Sequence, residues 1–559
     1  MSRLQFIKKK EFQFLSIIPI VICAYWVVFY GEFISDDWPM IAENPYLRSS
    51  DSLSAFFTTG VWRNSSLQIK SAALYRPMYL IWYYSIYNLA GPNPFWFHFA
   101  LLMVHVVNSL FVYKIIKTVW LDRSQSASIL GALFFALHPA QTQAIGWVSG
   151  GTDAVMLLFL LASFLLYVRF RHTSQNILFT FSMILFFVSL LTKETAAVYP
   201  ALLVLYDLWQ RVKFRHLISK RHGISFAILL IYLFLRARIV EGTGLHFSYK
   251  GLFRIFEQIF LTIRYLFIPS SQPFYFNYPE GGIAEPLDFA IGLFGIIIIS
   301  VLFVRYRQFR FGIVWILLTM MPTLLLAFHS SGVFALRFLY STVVGMAIVL
   351  SCLFDFWVNQ KPVLVKTASL IIIGIFFTVT IVALPDWSKE KRFYMKVVES
   401  NTKSLSGYEG LATHYKRKRD SENVISTYIL GLRNVTSDDE RISLTENLAQ
   451  YYADIGRFSE SLATFHELNR LSPGTRSLLG IGNNLYMLGK AEDALPFYKK
   501  AILIDPQNSL LLANFALVNG SLGRVDEAIK YYKKVLDLPV DKIDAAAAIQ
   551  AKNYLSGRK

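Results

Sequence analysis

Between Phe12 and about Leu384, apolar runs of 15 to 22 residues follow one another, separated by short polar or basic segments. A helix of about 20 apolar residues spans the hydrocarbon core of a bilayer, and in lipid its backbone groups must all be satisfied within the segment. From Pro385 onward charged residues appear every few positions and no run approaches spanning length. The chain therefore occupies two solvents. The pattern predicts an all-α protein: a polytopic helical membrane domain over 1–385, a linker over 386–405 and a soluble helical domain over 406–559.

Eleven spans are expected, near residues 13–30, 95–113, 127–141, 152–169, 176–191, 196–210, 223–240, 287–304, 311–328, 338–357 and 363–384. Their orientation follows from the short loops, since Lys and Arg accumulate on the cytoplasmic side. One set of connections carries Arg3, Lys8, Lys9 and Lys10, then Lys114, Lys117 and Arg123, then Arg169 and Arg171. It continues with Arg211, Lys213, Arg215, Lys220 and Arg221, with Arg305, Arg307 and Arg310, and with Lys361 and Lys366. The alternate loops carry almost none. The N terminus is thus expected inside and, after eleven crossings, the C-terminal domain outside. Residues 1–30 resemble a signal peptide but have no small-x-small cleavage site before Gly31, so they are taken as an uncleaved first span. Two further apolar stretches, about 76–90 and 251–268, each contain or abut Pro, Arg or Glu. They are expected to be interfacial or re-entrant helices on the outer face.

The net charge of +18 does not point to nucleic acid. Residues 386–559 hold 25 Lys and Arg against 21 Asp and Glu, so most of the excess lies in the membrane part, where it reads as topology and lipid-headgroup contact. Cys23 and Cys352 both sit inside apolar runs and imply no disulfide framework.

Past residue 440 the sequence repeats at intervals of 33 or 34. Gly456, Gly489 and Gly523 align, as do Ser461, Ala494 and Ala528, then Phe465, Tyr498 and Tyr532, and Pro473, Pro506 and Pro539 close the units. Small residues that let paired helices pack closely, with a proline ending each unit, resemble the tetratricopeptide repeat. Three units are clear and a degenerate one is expected over 406–438. Such an α-solenoid offers a groove for a peptide or protein segment; a rigid spacer is the plainer alternative. The run Lys416-Arg417-Lys418-Arg419 is expected to be a solvated helix face that could also touch anionic lipid.

Candidate chemistry gathers at the outer ends of the spans. The first outer loop, GEFISDDWPMIAENPY, places Asp36 beside Asp37 with Glu43 close behind. Adjacent carboxylates repel, which raises the pKa of one toward that of a useful base; alternatively, they share a divalent cation. Other outer segments hold Arg76, His98, His105, His138, Asp153, Lys193, Glu194, Arg337 and Tyr340. A charge at membrane depth costs about 2.5–3.5 kcal/mol, so so many on one side require a reason. Plainer readings exist for each: Lys193 and Glu194 pair with one another, His98 and His105 pack between helices, and Arg337 snorkels.

Taken in order, DD followed by ENPYLR, then YRPMYLIWY, NPFWFHFALLMVHVVNSLFVY, ALHPAQTQAIGWVSGGTD, LLTKETAAVYPALLVLYDLW, RFLYS, DWSKEKRF and the repeats resemble the GT-C class of polytopic glycosyltransferases. More narrowly, they resemble the transmembrane-and-tetratricopeptide-repeat protein O-mannosyltransferases and their bacterial relatives. One departure is visible: the family has Glu before its late Arg, whereas Leu336 precedes Arg337 here. The resemblance implies inverting transfer of a sugar, expected to be mannose, from a polyprenyl-phosphate donor to an acceptor hydroxyl on the non-cytoplasmic face. Asp36 or Asp37 would be the catalytic base. Arg76, His138, Lys193, Glu194, Arg337 and Tyr340 would bind donor phosphate or sugar, with Glu43, His98, His105 and Asp153 as further candidates. The repeats would present a protein acceptor. No cofactor is required by the resemblance, and a divalent cation stays open. A bacterial inner membrane is expected, with the repeats in the periplasm. Two alternatives remain at this point: the same architecture acting on a lipid or envelope glycan, and a non-enzymatic membrane scaffold. A transporter would need inverted repeats or a mid-span chain of ionisable groups, and neither is evident.

Overall fold

The computed structural model describes residues 13–67, 74–119, 124–211, 220–240, 249–269, 286–325, 334–539 and 542–557. Among these every regular element is helical. The chain divides into two compact units, Met1–Lys396 and Val397–Lys559.

In the first unit the described residues of each of the eleven expected spans fall largely on helix, residues 326–328 of the ninth lying outside the described residues. Among the described residues six helical segments are long and apolar enough to cross a membrane: Gln13–Tyr30, Pro94–Val119, Ser149–Thr173, Lys220–Ile239, Pro286–Arg305 and Pro362–Ser388. Gln125–Leu137, Asn176–Thr192 and Thr342–Val358 are shorter apolar helices. Helices Lys220–Ile239, Pro286–Arg305 and Pro362–Ser388 expose rows of large apolar side chains, among them Leu230, Ile231, Phe234, Phe294, Ile297, Leu370 and Ile371. In water such faces would aggregate; facing lipid they cost nothing. Helices Pro94–Val119 and Ser149–Thr173 are instead largely enclosed and form the centre of the bundle.

Of the basic loop residues that orient the chain, Arg3, Lys8, Lys9, Lys10, Arg123, Lys213 and Arg215 lie outside the described residues. The two stretches expected to be interfacial or re-entrant form helices Pro77–Ala90 and Tyr249–Phe267. The first has 14 residues. The second is strongly two-faced: Glu257, Gln258, Thr262 and Arg264 are buried while Leu252, Phe253 and Phe256 are exposed. Arg264 pairs with Asp288 at 2.9 Å. Residues 386–405 contain helix Glu390–Ser400, and the preceding helix runs to Ser388.

The second unit stacks helix pairs. Leu405–Arg417 with Ser421–Asn434 is the degenerate first pair, followed by Asp438–Asp454 with Phe458–Leu471, Thr475–Met487 with Ala491–Ile504, and Ser509–Ser521 with Val525–Leu536. A final helix, Ala545–Ser556, packs on the last pair. The repeat glycines explain themselves in the backbone. Gly456, Gly489 and Gly523 follow the first helix of their pairs at φ +79°, +77° and +75°, where a β-carbon is penalised. Tyr498 and Tyr532, one repeat apart, fill the core between helices.

Candidate active site

The carboxylate loop leaves the first span at Tyr30 and turns sharply at Ser35, whose φ of +48° is unusual for a non-glycine residue. Asp37 is fully buried and holds the turn. Its Oδ2 accepts the Ile34 N–H at 3.1 Å and its Oδ1 accepts the Ser149 N–H at 2.7 Å. Ser149 is in turn tied to helix Pro77–Ala90, since the Tyr83 hydroxyl donates to Ser149 Oγ at 3.2 Å. Asp36 is only partly buried. Burial pushes the Asp37 carboxyl up to about 7, partly opposed by the hydrogen bonds from Ser149 and Ile34. Burial also raises Asp36, partly offset by the Arg337 guanidinium. The two aspartates therefore differ in kind: both oxygens of Asp37 are engaged by backbone, and Asp36 is the one facing a cation.

Three cations and two carboxylates complete the cluster. Arg76, immediately before helix Pro77–Ala90, grips Glu194 with a two-pronged fork, Nε to Oε2 at 3.1 Å and Nη2 to Oε1 at 2.6 Å. Lys193, at the end of helix Asn176–Thr192, pairs with Asp153 in the first turn of helix Thr152–Thr173 at 2.5 Å, with both side chains almost wholly buried. The expected plain pairing of Lys193 with Glu194 is therefore replaced by two longer-range pairs. Burial would raise Glu194, but Arg76 overrides it and holds the carboxyl at about 2. Burial brings Lys193 down to about 8 against the pull of Asp153.

Arg337 is seated differently. Its N–H donates to Gln143 Oε1 at 3.0 Å, and its guanidinium lies 4.9 Å from the Trp147 ring and 5.3 Å from the Phe338 ring. Phe338 also lies 5.0 Å from the Lys193 ammonium. Among the described residues no carboxylate comes within ion-pairing distance of Arg337, and its neighbour Leu336 is buried. Stacked on aromatic faces and lacking an acid, this guanidinium retains its fork of donors for an anion.

The remaining candidates are committed elsewhere. His105 Nδ1 lies 2.7 Å from the Tyr340 hydroxyl and its Nε2 lies 3.0 Å from the Ala136 carbonyl, while Asn108 donates to the same hydroxyl at 3.2 Å. His105 and Tyr340 thus satisfy one another inside the bundle. His138 Nδ1 accepts the Ala140 N–H at 3.2 Å and its Nε2 sits 3.3 Å from the Leu266 carbonyl, a helix-start cap. His98 Nε2 lies 3.3 Å from the Glu32 carbonyl, at the start of the carboxylate loop. Glu43 is exposed. Among the described residues no group of three His, Cys, Asp or Glu side chains could hold a metal.

Residue roles that sequence reasoning missed are those of Gln143, Trp147 and Ser149. All three lie in ALHPAQTQAIGWVSGGTD, so the segment was visible while the contacts inside it were not.

The fold and the repeats define a polytopic helical membrane protein with a tetratricopeptide array. The tetratricopeptide repeat model matches residues 475–508 and 511–539. The chain is similar to human protein O-mannosyl-transferase TMTC3, 21% identical across 94% of this chain and 60% of that protein. It is also similar to human protein O-mannosyl-transferase TMTC1, 30% identical across 32% of this chain and 21% of that protein. The Caenorhabditis elegans protein O-mannosyl-transferase F38B6.6 is 31% identical across 28% of this chain and 22% of its own length. The chain is thus a TMTC-like transmembrane-and-tetratricopeptide-repeat protein, and it spans about three fifths of the length of TMTC3.

Proposed function

We propose that this protein is an inverting GT-C glycosyltransferase that moves mannose from a polyprenyl-phosphate donor to a hydroxyl on a protein acceptor at the non-cytoplasmic membrane face. The observation that carries the reading is that Asp36, which among the described residues shows no side-chain hydrogen bond to backbone, lies in the field of Arg337, which among the described residues has no acid within ion-pairing distance, in the cluster that holds the Arg76–Glu194 and Lys193–Asp153 pairs. Names of relatives similar over 94% of the chain favour the same chemistry.

In this scheme the Asp36 carboxylate takes the proton of the acceptor hydroxyl as its oxygen bonds to the anomeric carbon. The bond from that carbon to the phosphate oxygen breaks on the opposite face, inverting the centre, and its electron pair leaves with the lipid phosphate. The phosphate gains one negative charge as Asp36 loses one. Arg337 meets that charge, with Lys193 and Arg76 adding to the field while their own acids keep them fixed. Asp37 holds Asp36 in place through the turn. Glu194 orients Arg76.

Topology supports the outer face. Helix Thr152–Thr173 carries Asp153 at its start and Arg171 near its end. Its 22 residues rise about 33 Å, a full membrane thickness, so the cluster lies at the end away from Arg169 and Arg171. The N terminus is then cytoplasmic, the repeats are extracytoplasmic, and the groove of the repeats is the place for an extended acceptor segment. We place the protein in a bacterial inner membrane.

Purified full-length protein given radiolabelled polyprenyl phosphate mannose and envelope extract decides the acceptor. Label in protein supports the reading; label in lipid or glycan moves it to another acceptor; no label with any polyprenyl sugar contradicts transfer.

A further inference from the structure

The segment Asp386–Phe393 has no part in the scheme above, yet it holds the carboxylate loop at both ends. Upstream, the Glu32 N–H donates to the Ser388 carbonyl at 2.8 Å and the Glu390 N–H donates to Glu32 Oε2 at 3.1 Å. The Lys389 ammonium donates to the Tyr30 carbonyl and lies 3.7 Å from Glu32 Oε1. Downstream, the Trp38 indole N–H donates to Glu390 Oε1 at 2.8 Å. Glu390 is 3% exposed, and a carboxylate is buried so deeply only where its hydrogen bonds compensate. Between the two anchors lie the left-handed Ser35, Asp36 and Asp37.

The same segment supports the seat of Arg337. The Phe393 ring lies 6.1 Å from Trp147 and 5.7 Å from Trp387. Trp387 packs so closely on Gly146 that a β-carbon there would stand 2.8 Å from the Trp387 Cβ. One short stretch of chain thus supports the loop that presents Asp36 and the ring that carries Arg337.

We propose that Glu390 is a positioning residue for Asp36: by accepting from Trp38 and donating to Glu32 it clasps the two ends of the carboxylate loop. Residues 386–393 are then part of the active face, not a linker. The activity half of this inference rests on the transferase reading. The clasp itself does not.

The test uses full-length protein in nanodiscs, read by amide hydrogen exchange over residues 33–38 and by steady-state transfer. Glu390→Ala should raise exchange in the loop at least about tenfold and lower kcat about 10- to 100-fold, with the donor KM changed less than about twofold, because misplacement by about 1 Å is felt at that scale. Glu390→Gln keeps an acceptor for the indole and should restore protection and most of the rate. Trp38→Phe should reproduce Glu390→Ala, and the double variant should be no worse than either single. Unchanged exchange in Glu390→Ala, a Glu390→Gln variant as impaired as Glu390→Ala, or multiplied losses in the double variant would overturn the proposal. So would a loosened loop with full activity. If the wild type transfers no sugar at all, the transferase reading fails, and the exchange data still decide the clasp.

Discussion

Lys193 reaches back 40 residues to Asp153, at 2.5 Å, and leaves its chain neighbour Glu194 to the fork of Arg76. Two ion pairs thereby tie the ends of three helices, the start of Pro77–Ala90, the start of Thr152–Thr173 and the end of Asn176–Thr192, into one cluster. Removing one member of a buried pair leaves an uncompensated charge, typically at about 3–5 kcal/mol. Asp153→Asn alone should therefore lower the melting temperature of the full chain clearly, and Asp153→Asn with Lys193→Met should recover much of the loss. A double variant melting below the single one would contradict the pairing.

Asp37 gives the fold a pH dependence. The Asp37 carboxyl stands at about 7 in the folded chain because it is buried, against an ordinary value of 3.8. The native state then binds more protons than the unfolded one between these values. This contribution to stability is complete below about 4 and is lost as pH rises through 7. Asp37→Asn lacks it. The melting temperature of wild type minus that of Asp37→Asn should fall from pH 5 to pH 8; a constant or rising difference would show that the carboxyl is not held neutral.

Ser35 sits at φ +48° directly before Asp36. Gly adopts that conformation freely and a β-branched residue resists it, at roughly 1–2 kcal/mol. Ser35→Gly should keep activity, whereas Ser35→Val should lose it by displacing Asp36. Equal activity in the two would mean that the turn does not set the position of the base.

How much of this was legible in advance differs by level. The described residues of the eleven apolar runs fall largely on helix, because periodicity and length are local properties of the chain. The repeat glycines were legible for the same reason: each answers a fixed turn. The segments that converge were also visible as strings. Which charge meets which was not, since Asp153 and Lys193 are brought together only by the crossing of two helices. Nor could adjacency distinguish Asp36 from Asp37; that difference depends on Ser149, 112 residues away. His138 and Tyr340 look like ligands of an anion by residue type, yet helix capping and a buried hydroxyl network already occupy them.

Arg337 has its own signature. Stacking on Trp147 and Phe338 requires a planar cation, so Arg337→Lys should be much poorer than charge alone predicts, and Arg337→Ala should cost about 10²–10³ in kcat/KM for the donor. A lysine variant as active as wild type would remove the planar contact from the account.

The most direct test of the whole is the transfer of labelled mannose from polyprenyl phosphate to protein by purified Asp36→Asn beside wild type, with both melting at the same temperature. The account predicts label with wild type and a loss of at least about 10²-fold in Asp36→Asn. Undiminished transfer by a folded Asp36→Asn protein would contradict it.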